Sequence, residues 1–99
     1  MKLEWTEIAL DDYDNCIHYL ENEFTEKEIL SFILTMENCL DLIKKNPNSF
    51  PKSDYKNIRY ILVIPQVSIY YTTSNNLIQI VRVWNNRMNK KNLIKKSKK

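Results

Sequence analysis

Apolar residues recur at three- and four-residue spacing over residues 7–24: Ile8, Ala9, Tyr13, Cys16, Ile17, Leu20 and Phe24, with Asp11, Asp12, Asn15 and Glu21 between them. That period gathers the apolar set on one face of an α-helix. Thr6 stands where a hydroxyl can cap the first turn, and Glu7, Asp11 and Asp12 lie near the positive end of the helix dipole. A second amphipathic helix is announced by Thr25-Glu26-Lys27-Glu28. There the Thr25 hydroxyl can accept from the Glu28 amide while the Glu28 carboxylate reaches back to the amide of Thr25. Its stripe runs through Ile29, Leu30, Phe32, Ile33, Met36, Cys39, Leu40 and Ile43. Lys44 and Lys45 suit its negative end, and Asn46-Pro47 stops it, because proline disfavours helical geometry in the residue before it. The two helices form a hairpin with almost no loop.

The period then changes. Residues 47–57 show none and abound in turn formers, which predicts one long loop. Three β-rich runs follow, 58–64, 67–73 and 77–84, separated by Pro65-Gln66 and Ser74-Asn75-Asn76, and they predict an antiparallel meander. Leu3 and Trp5 supply a further edge strand. In the last run Ile78, Ile80, Arg82 and Trp84 alternate with Leu77, Gln79, Val81 and Val83, so both faces are largely apolar. One face takes the helical hairpin; the other needs a cover, from the C-terminal segment or a partner chain. The expectation is an α+β protein, an antiparallel sheet packed on a helical hairpin, with one domain over 1–89 and a tail over 90–99 that holds six lysines.

Composition narrows the function. A chain of 99 residues with 43% hydrophobic content closes one modest core. The overall charge of +3 hides two opposed halves: residues 1–50 carry four lysines against eleven carboxylates, net −7, and residues 51–99 carry eleven basic residues against Asp54 alone, net +10. Such a basic half suits a polyanion or an acidic protein segment. With no glycine, phosphate loops, dinucleotide fingerprints and nucleophile elbows are excluded. The single His18 and the two cysteines, Cys16 and Cys39, stand at no metal-ligand spacing, so neither a metal nor a cofactor is expected, and serine-triad catalysis lacks its parts. The cysteines read as reduced core residues. Residues 1–7 lack the apolar run of a signal peptide, and no stretch approaches the ~20 apolar residues of a spanning helix, which sets a soluble, cytoplasmic expectation without membrane contact.

The chemistry-bearing candidates are cationic and amide side chains. Arg59, Arg82 and Arg87 are the three arginines, all in or bordering the sheet; Asn85 and Asn86 follow the last strand, Lys52 and Lys56 come from the long loop, and Lys90 and Lys91 open the tail. Arginines converging on an open sheet face would grip phosphate or carboxylate with their fixed fork of donors. Tyr55, Tyr60, Tyr70, Tyr71 and Trp84 interleave with them, first of all as β formers and core fillers, and as base-stacking platforms only if one shares the arginines' face.

The order of elements and several local strings resemble the RelE/ParE toxin superfamily across nearly the whole chain. The strings are Trp5-Thr6, then Ala9, Asp12 and Tyr13, then Asn46-Pro47, Phe50-Pro51, Asn57-Ile58-Arg59, Ile69-Tyr70-Tyr71, and the run from Ile78 to Lys91. In that run a hydrophobic strand passes into an aromatic residue, two asparagines, Arg87, Met88, Asn89 and lysines. The resemblance implies a β-α-α-β-β-β toxin of a bacterial type II toxin-antitoxin system, growth-inhibitory when free and neutralised by a cognate antitoxin that wraps it; the open sheet face and the net +10 of residues 51–99 lead to the expectation that the wrapping segment is acidic. It implies no single activity. RelE-type members cleave ribosome-bound mRNA with basic residues, whereas ParE-type members bind DNA gyrase. By position, Arg59 matches a basic residue early in the second strand and Arg87 the arginine after the last strand. No catalytic residue is fixed: if the chain is a nuclease, the candidates are Arg59, Arg82, Arg87, Lys52, Lys56 and Asn85, of which the resemblance itself carries over Arg59 and Arg87; if it binds a target or anion, the candidates are Arg59, Arg82, Asn85, Asn86, Arg87, Lys90 and Lys91. The chain departs from the RelE pattern where Val63 or Ile64 replaces an arginine and Asn85 and Leu93 stand where a tyrosine or histidine belongs. That gap favours action on a protein target such as gyrase, with mRNA cleavage and a non-toxic interaction module as alternatives.

Overall fold

Two threonines set the helices. The Thr6 hydroxyl accepts from the Ala9 amide at 3.0 Å and opens α1, Glu7–Glu21. Thr25 and Glu28 exchange both bonds of a capping box, at 3.2 and 2.9 Å, and open α2, Glu26–Lys45. The expected continuation of α1 to Phe24 is not reached: the amides of Glu23 and Phe24 both donate to the Leu20 carbonyl, a tight turn that brings Phe24 back against the core. The computed structural model describes residues 1–88; the basic tail, with Lys90 and Lys91, lies outside the described residues.

Four strands follow from the apolar runs: β1 (Lys2–Trp5), β2 (Arg59–Ile64), β3 (Val67–Ser74) and β4 (Leu77–Asn85), ordered β1-β4-β3-β2 in the sheet. The β-α-α-β-β-β order and the antiparallel meander of β2, β3 and β4 match the expectation. The β3-β4 hairpin closes through Asn75 and Asn76, both at positive φ, 49° and 64°. In a chain without glycine, asparagine is the residue that tolerates this left-handed turn best. The sheet is nevertheless mixed rather than antiparallel, because β1 joins the outer edge of β4 in parallel, from Lys2 opposite Leu77 to Trp5 opposite Ile80. The chain then crosses the sheet face as α1, while β4 continues to Asn85 paired with β3 on one side and with no strand on its outer edge.

A bulge also revises the expected faces of β4. The register steps from Tyr70 opposite Arg82 to Tyr71 opposite Ile80, leaving Val81 as the extra residue. One inserted residue reverses every later side chain. Ile78, Ile80 and Val83 therefore enter the main core, with Ala9, Cys16 and Leu20 of α1, Phe32, Met36, Cys39 and Ile43 of α2, and Val67, Ile69 and Tyr71 of β3. Both thiols are buried there and unoxidised. Val81 and Trp84 instead join Tyr70 and Tyr60 on the opposite face, where the long loop contributes Tyr55 and Ile58. Among the described residues the loop covers part of that face; the C-terminal segment expected to cover it lies outside them.

Candidate functional site

Arg82 begins on the outer face, opposite Tyr70, but its guanidinium passes the end of β1 to reach α1. Nε and Nη2 donate to the two carboxylate oxygens of Asp12 at 2.6 and 2.7 Å, and the Val83 amide donates to the same carboxylate at 3.1 Å. Asp12 thus stands in for the missing strand along the free edge of β4. The guanidinium also lies 4.9 Å over the Trp84 ring, and the residue is only 2% exposed. A buried, bidentate pair of this kind leaves Arg82 little to offer an external anion. Trp84 is buried alongside it, its indole N–H without a partner among the described residues.

Arg59 occupies a different face and a different end. It stands opposite Tyr71, a core residue, and its Nη1 donates to the Phe50 carbonyl at 2.7 Å. Tyr71 fixes the start of the same loop, its hydroxyl donating to the Pro47 carbonyl at 2.6 Å. The loop is held as a short ladder: Lys52 bridges to Arg59, the Tyr60 amide donates to Pro51, and the Ser53 hydroxyl donates to the Ile58 carbonyl at 2.8 Å. Lys52, Lys56 and Arg59, with Asn48, Asn57 and Thr73, line an open cavity of about 470 Å³ whose one carboxylate is Asp54.

Arg87 lies at the third position, beyond the end of β4. Its Nη1 donates to the Tyr19 hydroxyl at 2.6 Å and approaches Glu23 at 3.4 Å, both on or just after α1. The Tyr19 hydroxyl is held above its ordinary pKa, first by its hydrogen bond with Glu23, the nearby Arg87 opposing that shift. The Asn85 side chain accepts from the Arg87 amide at 3.0 Å and shapes the turn. Asn86 is a brace: it accepts from Ser68 at 3.1 Å and donates to the Pro65 carbonyl at 3.1 Å, joining the β2-β3 turn to the end of β4.

The expected convergence of three arginines is therefore corrected. Arg59 is level with Ile80 two strands away, Arg82 turns inward to Asp12, and Arg87 sits beyond Asn85 against α1. What the structure does bring together is Lys52, Lys56 and Arg59 on the loop side, and Asn85, Asn86 and Arg87 at the end of β4. The tyrosines divide likewise: Tyr71 is wholly buried, and Tyr70 is buried and stacked on Tyr60 at 5.8 Å between ring centres, which leaves Tyr70 no open ring face. His18 is remote, on the exposed side of α1 against the Asp14 carbonyl at 2.9 Å. Sequence reasoning missed Asp12 as the partner of Arg82. Its signal was a carboxylate one helical turn from Ala9 and Cys16, on the border of the apolar stripe.

No group of His, Cys, Asp or Glu that could hold a metal occurs among the described residues, and no described helix is long and apolar enough to cross a membrane. Comparison with curated proteins finds no match. Among solved structures, a chromosomal ParDE toxin-antitoxin system from P. aeruginosa is similar with a TM-score of 0.73 and 18% identity, over 86% of this chain and 95% of that one. A copper-bound mutant toxin from Helicobacter pylori gives 0.61 and 17%, over 88% and 96%. The E. coli DinJ-YafQ complex gives 0.58 and 14%, over 87% and 93%. At such identities these similarities establish the fold. The family follows from the sequence itself, because the pattern of the ParE toxin of type II toxin-antitoxin systems, parDE, matches residues 3–90. The chain belongs to the ParE toxin family of type II toxin-antitoxin systems.

Proposed function

We propose that the chain arrests bacterial growth when free, is neutralised in the cytoplasm by a cognate antitoxin, and acts by binding a protein target such as DNA gyrase rather than by cutting RNA. The observation that carries this reading is the dispersal of the arginines. Phosphodiester cleavage needs cationic groups around one phosphate and a proton donor or acceptor within reach. Here Arg82 is spent on Asp12, Arg87 stands against α1, and the lone histidine is on the far side of a helix. Asn85, Asn86 and Arg87 form a braced, polar end to the sheet that suits recognition of a protein surface. Purified chain added to gyrase tests this: supercoiling of relaxed plasmid is lost in proportion to the toxin, and Arg87→Ala weakens the loss. Unaffected supercoiling at toxic concentrations overturns it.

A second reading is supported by the loop cavity. Lys52, Lys56 and Arg59 around one opening can seat a phosphate backbone, as ribosome-dependent mRNA cleavage requires. Codon-periodic transcript cuts that vanish in Arg59→Ala would select it. Expression without any growth defect would instead indicate an interaction module without toxicity. For the antitoxin, the net +10 of residues 51–99, a sum that includes Lys90 and Lys91 beyond the described residues, favours an acidic segment laid over the loop cavity and the Arg87 end. Co-expression with the product of the adjacent reading frame should give a complex that weakens as salt rises.

A further inference from the structure

Of the three arginines, only Arg87 is at once exposed, 61% at its side chain, and held by other side chains. Its Nη1 donates to the Tyr19 hydroxyl at 2.6 Å and lies 3.4 Å from the Glu23 carboxylate, with the guanidinium carbon 5.9 Å from the centre of the Tyr19 ring. Having accepted from Arg87, the Tyr19 hydroxyl gives its own proton to Glu23. Each member of this chain has a fixed base. The Tyr19 ring packs against the main core, and Glu23 is set by the tight turn in which its amide donates to the Leu20 carbonyl at 2.9 Å. On the strand side the Asn85 side chain accepts from the Arg87 amide at 3.0 Å, and the Met88 amide donates to the Asn85 carbonyl at 2.9 Å.

The fold gains little from such an arrangement, because exposed ion pairs add little to stability and ordering an arginine costs rotamer entropy. What it does lower is the cost of ordering that side chain when a ligand binds. All of these bonds use Nη1, and the Nε and Nη2 edge makes none among the described residues. That edge takes a carboxylate side-on through two parallel bonds, as the same two nitrogens of Arg82 do on Asp12. We infer that Tyr19, oriented by Glu23, is a positioning residue that holds Arg87 as a preformed receptor for one carboxylate of the antitoxin. The inference rests on the reading that an acidic antitoxin segment covers this end of β4, and it names the group that segment presents there. Tyr19 acts through Arg87: its hydroxyl is already engaged on both sides, and the donors left for the partner belong to the arginine.

Two measurements on the full chain test the two steps. In the free chain, nitrogen relaxation of the arginine Nε–H groups reports their order, with buried Arg82 as the rigid reference. Arg87 is expected to be ordered, with an order parameter above about 0.6, and Tyr19→Phe, which keeps the ring and removes the hydroxyl, to bring it below that value. An Arg87 that is mobile, or that Tyr19→Phe leaves as ordered as before, overturns the proposal. Affinity is then measured for the purified product of the adjacent reading frame. Arg87→Ala should weaken binding about ten-fold and Tyr19→Phe about five-fold. In the Arg87→Ala background Tyr19→Phe should cost less than about two-fold, since nothing is left for the hydroxyl to position. Equal losses in both backgrounds would make Tyr19 merely structural and overturn the proposal. A complex that weakens with salt but ignores Arg87→Ala overturns the carboxylate at Arg87 alone; one that ignores both overturns the acidic-segment reading with it.

Discussion

Arg59 and Arg82 are the same residue type in the two outer strands of the meander and serve opposite ends. Arg82 is buried, bidentate on Asp12 and stacked on Trp84, at the place where β1 has stopped and the edge of β4 would otherwise be unpaired. Arg59 is half-exposed, anchored by one carbonyl and open to a cationic cavity. The difference lies in what surrounds each guanidinium rather than in the side chain. An arginine with a carboxylate partner and no water serves the fold; one held by a backbone oxygen keeps donors for a ligand.

Removing the partner carboxylate should break this contrast most sharply. Asp12→Ala leaves a buried guanidinium uncompensated and strips the Val83 amide of its acceptor, and should cost about 3–5 kcal/mol in urea unfolding. Asp12→Asn keeps an acceptor and should lose less. A cost below ~1 kcal/mol would mean that Arg82 is not a structural residue.

Alkaline pH is the next lever on the buried side. Burial, with the Asp12 carboxylate adding to it, pushes the Cys16 thiol from 9.0 up to about 11, and burial raises Cys39, Tyr13, Tyr70 and Tyr71 in the same direction. These groups hold their protons more tightly folded than unfolded, so stability is intact below about pH 9 and declines toward about pH 11, as the unfolded chain ionises first. Urea midpoints measured across that window check the sign. Iodoacetamide at neutral pH should correspondingly leave Cys16 unmodified until the chain unfolds.

The exposed side should respond less in stability. Arg59→Ala removes the bond to Phe50 and should cost about 1 kcal/mol, felt as faster proteolysis within residues 50–58 more than as global unfolding. Arg87→Ala, at an exposed pair, should change stability by no more than ~0.5 kcal/mol while relieving growth inhibition. An Arg87→Ala chain that remains fully toxic would remove the end of β4 from the target-binding surface.

What the sequence could convey follows the same division. Both helix starts, the capping box and the three meander strands were legible because each depends on residues within a few positions of one another. The edge strand at Leu3 and Trp5 was legible too, but its parallel pairing was not, since that joins Trp5 to Ile80 across most of the chain. Nor was the bulge at Val81, because a period of two carries no mark of the point where it slips. Arg82 was misplaced as a consequence: its strand, its type and its neighbours were all readable, but its partner lies seventy residues away in α1.

Growth and transcript integrity, followed together after induction in a bacterial host, address the central claim most directly. Growth arrest with full-length transcripts and altered plasmid supercoiling is the predicted result. Codon-periodic cleavage of mRNA, abolished by Arg59→Ala, would contradict it and make the loop cavity the active site.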